Sequence, residues 1–393
     1  MKSLKCGLLK WYRAVRRDLP WRRTRDPYSI WLSESMLQQT RVETVIPYYE
    51  RFLDAFPTVR DLAAADQHDV LRLWAGLGYY ARARNLHAAA KCIVAKHGGT
   101  FPRSAAGLAE LPGVGRYTAN AVASIAFQEP VAVLDGNVKR VLARMFLFER
   151  PINASASQTA LWSLAEEFLD RSAAGDFNQA LMELGATICV PRRPACQSCP
   201  LKAGCAAFMS GRQDELPRKI AKKTTPVLRG VALAVWRKDK LLLLRRPQTG
   251  LLAGLWELPG AVESTSRRGR EFPKRRGAPR ALRAQTSATS PAAVLKTLTG
   301  LSVARPKKLG EVRHVFTHRD LTLDVFAAES AAGRMSPIGK REAAWVAPTD
   351  FPQHAMSTLD RKVLAVALAG RAGDSRESLP HAAEPRNQPA NRK

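Results

Sequence analysis

Long hydrophobic runs are missing from this chain: no stretch of the 393 residues comes near the ~18 successive apolar side chains that a spanning helix needs, which excludes a helical membrane protein. Acidic residues are scarce as well. Asp and Glu number 34 against 62 Lys and Arg, a net charge of +28, so polyanions are the partners favoured by steering and counterion release, nucleic acid first among them. Met1 to Arg17 alternates basic and apolar residues, with no uninterrupted apolar core and no small-residue cleavage site, so no export signal is expected and the cytoplasm is the expected compartment. Cysteine is sparse too. Of six, four are crowded at Cys189, Cys196, Cys199 and Cys205, while Cys6 and Cys92 stand apart, a pattern that suits metal ligation in a reducing compartment better than a disulfide framework. Apolar residues still make up 46% of the chain, enough for a sizeable core, and the length predicts two domains.

From Trp11 to about Cys205, short Gly and Pro punctuation separates helix-length segments, and no sustained period of two occurs. Val42, Val45, Ile46 and Tyr49 follow the i, i+3, i+4, i+7 stripe of an amphipathic helix. Residues 1–205 are expected to be all-α. A linker over 206–227 holds Pro217, Pro226 and the basic group Lys219, Lys222 and Lys223. The composition then changes. Gly230 to Leu244 reads as two strands joined by a turn at Lys238-Asp239-Lys240, and Val312 to Ala327 is a further alternating, β-branched stretch, so 228–369 is expected to be an α+β domain. Within it 264–292 reads as a flexible insertion, because between Arg267 and Arg283 eight Lys and Arg stand against one Glu, with Pro273 and Pro279 among them. Residues 370–393 contain Leu379 as their one large aliphatic side chain and are expected to form a disordered tail. There is no internal repeat.

Leu111-Pro112-Gly113-Val114-Gly115-Arg116-Tyr117 precedes a helix rich in small residues, Thr118 to Phe127. Gly113 and Gly115 permit a tight turn whose amides, backed by a helix N-terminus, can hold a DNA phosphate; a plain helix–helix turn fits the same residues. Twenty residues after Gly115 stands Asp135, ahead of a helix with apolar Val138, Val141, Leu142 and Met145. Asn137 is read as the cap of that helix, which leaves Asp135, following an apolar run, costly unless paired or employed. Upstream, Trp31 to Thr40 reads as a helix on which Glu34 has Ile30, Trp31, Leu37 and Gln38 as its i±3 and i±4 neighbours. Three of those four are apolar. A carboxyl desolvated in this way has its pKa raised toward neutrality, where it can donate a proton; an acid at the edge of an amphipathic face is the plainer alternative.

The segment Trp31-Leu32-Ser33-Glu34-Ser35-Met36-Leu37-Gln38-Gln39-Thr40 closely resembles the W-[LV]-S-E-x-M-L-Q-Q-T motif of the MutY family of adenine DNA glycosylases. Leu19-Pro20-Trp21-Arg22 and Gly76 to Leu86 match as well, and the hairpin followed by an Asp resembles the wider helix-hairpin-helix superfamily that includes endonuclease III. The likeness is dense from Trp11 to Cys205 and looser beyond. It implies a six-helix helix-hairpin-helix part at about 26–134 and an iron–sulfur part formed by about 1–25 with 135–205. It further implies base excision repair of adenine paired with 8-oxoguanine or guanine, with the adenine flipped out of the duplex. Glu34 would protonate N7 of that base, and Asp135 would stabilise the oxocarbenium-like sugar or bond to it transiently, with Tyr117 and Asn137 positioning both. By the same resemblance Trp21, Arg22 and Glu183 line the adenine pocket, Gln39 and Tyr79 enter the stack around the oxidised guanine, and Thr40, Gly113 and Gly115 belong to the DNA-binding surface. Tyr117 stands where bifunctional relatives carry a lysine nucleophile. A phenol cannot form a Schiff base, so a monofunctional glycosylase is expected.

Cys189-x6-Cys196-x2-Cys199-x5-Cys205 has one C-x-x-C pair and two outlying cysteines, unlike the paired knuckles of common zinc sites, although zinc stays open on spacing alone. The resemblance implies a [4Fe–4S] cluster on these four thiolates, with Arg192, Arg193 and Lys202 beside it as phosphate contacts. Gly254-Leu255-Trp256-Glu257-Leu258-Pro259-Gly260 resembles the entry to a Nudix fold, yet Ser266 takes the place of the first metal-binding Glu and no acidic helix follows. Hydrolysis of nucleotide pyrophosphates is therefore not expected. Phe316-Thr317-His318 resembles the MutY recognition loop, which probes the opposing base. The expected protein is a monomer on duplex DNA, associated with the nucleoid. Two alternatives remain on the residues alone: an endonuclease III-like lyase, and a non-catalytic zinc-bearing nucleic-acid-binding protein.

Overall fold

The computed structural model describes residues 1–221, 225–262, 290–329 and 331–377. The chain divides into two compact units, Met1–Lys223 and Thr224–Lys393. No helix among the described residues is long and apolar enough to cross a membrane.

The first unit is helical throughout, and several of its helices begin where a side chain satisfies a free amide. Asp26 caps the helix Pro27–Leu37, accepting from the Ser29 amide at 2.8 Å, with Pro27 in the first turn where a missing N–H costs nothing. Thr58 and Asp61 cap each other's amides at the start of Val59–Ala64. The stripe read from Val42 to Tyr49 lies on the helix Val42–Ala55, with Val45 and Tyr49 fully inside. Large side chains fill the centre: Trp31, Phe52, Trp74, Phe168 and Phe177 are almost inaccessible. They meet edge to face, with centroids 5.5 Å apart for Trp31–Phe101, 6.0 Å for Phe52–Trp74 and 5.3 Å for Phe168–Phe177, a geometry worth about 0.5–1.5 kcal/mol per pair beyond burial itself. Four helices then define one region: Pro27–Leu37 packs on Arg116–Phe127, and Ala174–Thr187 packs on both Arg116–Phe127 and Gly136–Met145.

Two sequence expectations are corrected here. The helix carrying Glu34 ends at Leu37, short of Thr40, because Gln39 turns to a left-handed φ of +60° and the last carbonyls are taken by Arg82 from the first turn of the helix Ala81–His97. The cap of Gly136–Met145 is Asp135, which accepts from the Val138 amide at 2.7 Å, whereas Asn137 lies inside the first turn.

The second unit is a mixed sheet between helices. Its strands are β1 (Val227–Arg237), β2 (Lys240–Arg245), β3 (Trp256–Glu257), β4 (Gly260–Val262), β5 (Lys307–Phe316), β6 (Arg319–Ala328) and β7 (Ala343–Val346). Spatial order is β3-β2-β1-β6-β5, with β4 added on β1 and β7 on β2; β1 and β6 run parallel. Period-two alternation explains the layers. Ala232, Ala234, Trp236, Leu241 and Leu243 face the helix Thr358–Glu377, while Leu233, Val235, Leu242 and Leu244 face the helix Pro291–Thr299. With both faces covered, β2 can be the continuous apolar run Leu241-Leu242-Leu243-Leu244. The stretch from Val312 to Ala327 falls on two strands of a hairpin, β5 and β6. Most of the basic insertion expected at 264–292 lies outside the described residues, its end forming the start of Pro291–Thr299. Of the expected tail, 378–393 lies outside them as well, and the last helix continues through Gly370 to Glu377.

Candidate active site

Glu34 sits on the most buried helix of the first unit, where every residue from Ile30 to Met36 is inaccessible or nearly so. The residue is only 6% exposed. Burial pushes its carboxyl up to about 7, and the nearby Asp135 pushes in the same direction, against the hydrogen bond donated by Tyr117 Oη to Glu34 Oε2 at 2.6 Å. Tyr117 comes from the first turn of Arg116–Phe127, directly after the Gly113 hairpin, and burial beside Glu34 raises its phenol well above the usual value. The phenol therefore stays a donor. One residue on, Thr118 Oγ1 accepts from Gln38 Nε2 at 3.1 Å, so the hairpin helix grips the Glu34 helix at a second point.

Asp135 reaches the same space from the N-terminus of Gly136–Met145. Burial pushes its carboxyl up, but the Val138 amide at 2.7 Å, the Asn137 Nδ2 donor at 3.1 Å and the charge of Arg140 all favour the anion. Asn137 is held in turn by Arg140, which donates to its Oδ1 at 2.8 Å and to the carbonyls of Gly185 and Cys189, each at 2.7 Å. Gly185 is required for this approach: a Cβ there would stand 2.6 Å from the Asn137 Cβ. Arg140 was not predicted from sequence. A helical arginine facing inward carries no motif that marks it.

A cavity of about 580 Å³ opens between these groups. It is lined by Glu34, Asp135, Tyr117, Asn137, Trp21, Arg22, Gln39, Thr40 and Glu183, with Met182 and Arg17 among the residues the sequence reading did not single out. All four predicted catalytic residues and five of the predicted DNA contacts are thus gathered in one place; Tyr79, Gly113, Gly115, the Phe316–His318 segment and the four clustered cysteines are not part of its lining. Burial raises both carboxyls, but on Asp135 three donors and the charge of Arg140 oppose that rise, whereas on Glu34 the one donor is Tyr117. A proton holder and a better-stabilised anion therefore face one space and can act on the two ends of one polar bond.

The description "HhH-GPD superfamily base excision DNA repair protein" matches residues 32–167, and "NUDIX domain" matches 231–366. Adenine DNA glycosylase of Mus musculus is 37% identical over 92% of this chain and 77% of its own length. That of Homo sapiens is 37% identical over 92% of this chain and 73% of its own. The chain belongs to the adenine DNA glycosylase family. It is a glycosylase of base excision repair. A solved thermostable thymine-DNA glycosylase is also similar, at 33% identity and a TM-score of 0.49, covering 53% of this chain and 96% of that one.

In this glycosylase, Glu183 at the cavity wall is fully paired. Burial alone would raise its carboxyl, but hydrogen bonds from Arg17 and Arg22 outweigh it and take it down to about 2. Arg17 grips both oxygens at 2.7 and 2.8 Å, and Arg22 adds a bond of 2.8 Å. Arg22 also lies 5.6 Å from the Tyr12 ring centroid, so neither it nor Glu183 is a freely swinging contact. Gln39 and Tyr79 share a left-handed backbone, with φ of +60° and +47°, uncommon for residues other than glycine, and the Tyr79 side chain is 43% exposed. The hairpin needs one glycine on conformational grounds. Gly113 has φ of +73° and abuts the Asn85 side chain, whereas Gly115 has an ordinary extended φ of −87°, which corrects the expectation that both make the turn.

Cys189, Cys196, Cys199 and Cys205 line one small cavity, although no three of them form a ready-made ligand group among the described residues. The donor set nevertheless fits a thiolate-bound cluster. Arg144, itself buried, donates to Cys189 Sγ at 3.3 Å and to the carbonyls of Val190 and Leu216, placing a fixed cation beside the sulfurs. Burial pushes Cys199 up to about 11, and the neighbouring cysteines add to it. Thiolates crowded into one pocket repel one another, and a bound metal is what offsets that charge.

In the second unit Phe316 ends β5 and Thr317 and His318 form the exposed turn into β6, with the His314 and Phe316 rings 4.6 Å apart. Glu257, the acid of the Nudix-like entry, is occupied by Arg246 at 2.5 Å and Arg341 at 2.6 Å. Ser266 lies outside the described residues.

Proposed function

We propose that this enzyme hydrolyses the N-glycosidic bond of adenine mispaired with 8-oxoguanine or guanine, and that the 580 Å³ cavity receives the flipped adenosine. The observation that carries the reading is the pair of unlike carboxyls on one cavity: Glu34, raised to about 7, and Asp135, held by donors that favour its anion. Glu34 gives its proton to N7 of the adenine. The C1′–N9 bond then breaks with its electron pair leaving on the base, and Asp135 stabilises the positive sugar as a counter-ion or by a transient bond to C1′. Water adds to C1′, and the proton it loses restores Glu34. Tyr117 orients the Glu34 carboxyl, Asn137 orients Asp135, and Trp21, Arg22 and Glu183 shape the pocket.

Gln39 and Tyr79 take the opposing strand, with Thr40 beside them, and the Gly113–Gly115 hairpin holds a phosphate. Phe316, Thr317 and His318 inspect the opposing base. With Tyr117 in place of a lysine, the abasic product is released uncleaved. Cys189, Cys196, Cys199 and Cys205 hold a [4Fe–4S] cluster, which staples their loop and presents its basic side chains to DNA. The test is a nicking assay on an A·8-oxoguanine duplex. Strand breakage only after hot alkali supports the reading; breakage without alkali favours a lyase, and none under either condition favours a binding protein.

A further inference from the structure

We propose that Arg82 is a positioning residue that couples the two loops expected to flank the opposing base to the helix carrying Glu34, so that placement of the acid depends on which base faces the adenine. The inference rests on the functional reading above. One guanidinium serves both sides. Its Nη1 donates to the carbonyls of Ser35 at 3.0 Å, Met36 at 2.6 Å and Gln38 at 2.7 Å, the C-terminal end of the Glu34 helix. Its Nη2 donates to Thr40 Oγ1 at 3.1 Å and to the carbonyls of Leu77 at 3.3 Å and Gly78 at 3.1 Å. The same group lies 5.3 Å from the Trp74 ring centroid and 5.5 Å from that of Tyr79. No ion pair to Arg82 is present among the described residues, so oriented carbonyls and ring faces are what offset this half-buried cation, as the negative end of a helix dipole does.

The geometry is suited to transmission because a guanidinium is a rigid planar fork. Both loops it joins are held in left-handed backbone, at Gln39 and at Gly76, Gly78 and Tyr79, conformations that persist only where surrounding bonds fix them. A displacement of Tyr79 or Gln39 therefore passes through the fork to Ser35, the neighbour of Glu34, and to Gln38. Gln38 in turn holds Thr118, the residue after Tyr117, which donates to Glu34. An opposing base that seats Gln39 and Tyr79 keeps the acid in register. One that does not lets it drift.

The experiment compares single-turnover adenine removal from A·8-oxoguanine and A·G duplexes by the full chain, wild type against Arg82→Lys, Arg82→Met and Thr40→Val, with folding followed by thermal melting. Lysine keeps the charge and loses the fork. We expect wild type to prefer 8-oxoguanine and the ratio of the two rates to fall about tenfold in Arg82→Lys, the size of effect that losing a charged hydrogen-bond partner brings. Thr40→Val removes one arm only and should lower the same ratio by less, which keeps the test open if Arg82→Met does not fold. Equal loss on both duplexes, an unchanged ratio in folded variants, or a wild type without preference would overturn the coupling. A wild type that removes adenine from neither duplex would instead sink the functional reading, and the coupling with it.

Discussion

Glu34 shows what burial does to one carboxyl. Its value of about 7 means that it is protonated below neutrality and loses its proton as pH rises through about 7, so adenine removal should decline along a limb near that pH. Tyr117 donates to the carboxylate and so favours the ionised form; Tyr117→Phe should move the limb to higher pH, read from single-turnover rates across a pH series. The same shift has a stability consequence. Because the folded value lies above the ordinary 4.5, the folded state binds the proton more tightly than the unfolded chain, and stability should drop by about 3 kcal/mol between pH 4.5 and pH 7 and then level off. Glu34→Gln should abolish this dependence and cut base removal by about a hundredfold or more, while leaving affinity for the mispaired duplex intact in a gel-shift assay. Retained turnover in that variant would remove Glu34 from its role.

At the scale of elements, the site depends on two helices touching more closely than side chains normally allow. Gly185 on Ala174–Thr187 faces Asn137 on Gly136–Met145, and Arg140 spans the gap to hold both Asn137 and the carbonyl of Gly185. Gly185→Ala places a methyl group 2.6 Å from the Asn137 Cβ, so the helices must separate. The expected cost is about 1–3 kcal/mol of stability, with a lower rate of adenine removal as Asn137 leaves Asp135. Thermal melting and single-turnover kinetics check the two effects separately; an unaltered rate in a destabilised variant would show that Asn137 does not orient Asp135. The hairpin before Tyr117 obeys a related rule, since Gly113 occupies a φ that alanine adopts only with strain and meets Asn85 on its open side.

For the whole molecule, charge and cysteines make the predictions. A net charge of +28 requires duplex affinity to fall steeply and log-linearly with salt, and a shallow slope in a fluorescence titration would mean that few phosphates are neutralised. If Cys189, Cys196, Cys199 and Cys205 hold a cluster, the purified protein is yellow-brown with stoichiometric iron and sulfide, and losing the metal lowers its melting temperature. A colourless, zinc-loaded protein would exclude the cluster.

The sequence was sufficient where placement is written into a contiguous motif or a periodicity. The Glu34 segment, Tyr117 after the hairpin and Asp135 meet on one cavity, the four spaced cysteines line another, and the β1–β2 turn falls at Lys238-Asp239, because each follows from local geometry and side-chain chemistry. Only the tertiary structure decided that Gln39 has already left the Glu34 helix, and that Arg17, Arg82, Arg140 and Arg144 each hold a part of the site. Those arginines act on carbonyl and carboxylate oxygens from 3 to 166 positions away along the chain, the span from Arg140 to Asn137 and from Arg17 to Glu183. In a chain with 62 basic residues nothing local distinguishes a cation that will be buried among carbonyls from one that will meet solvent or phosphate; packing alone makes that choice.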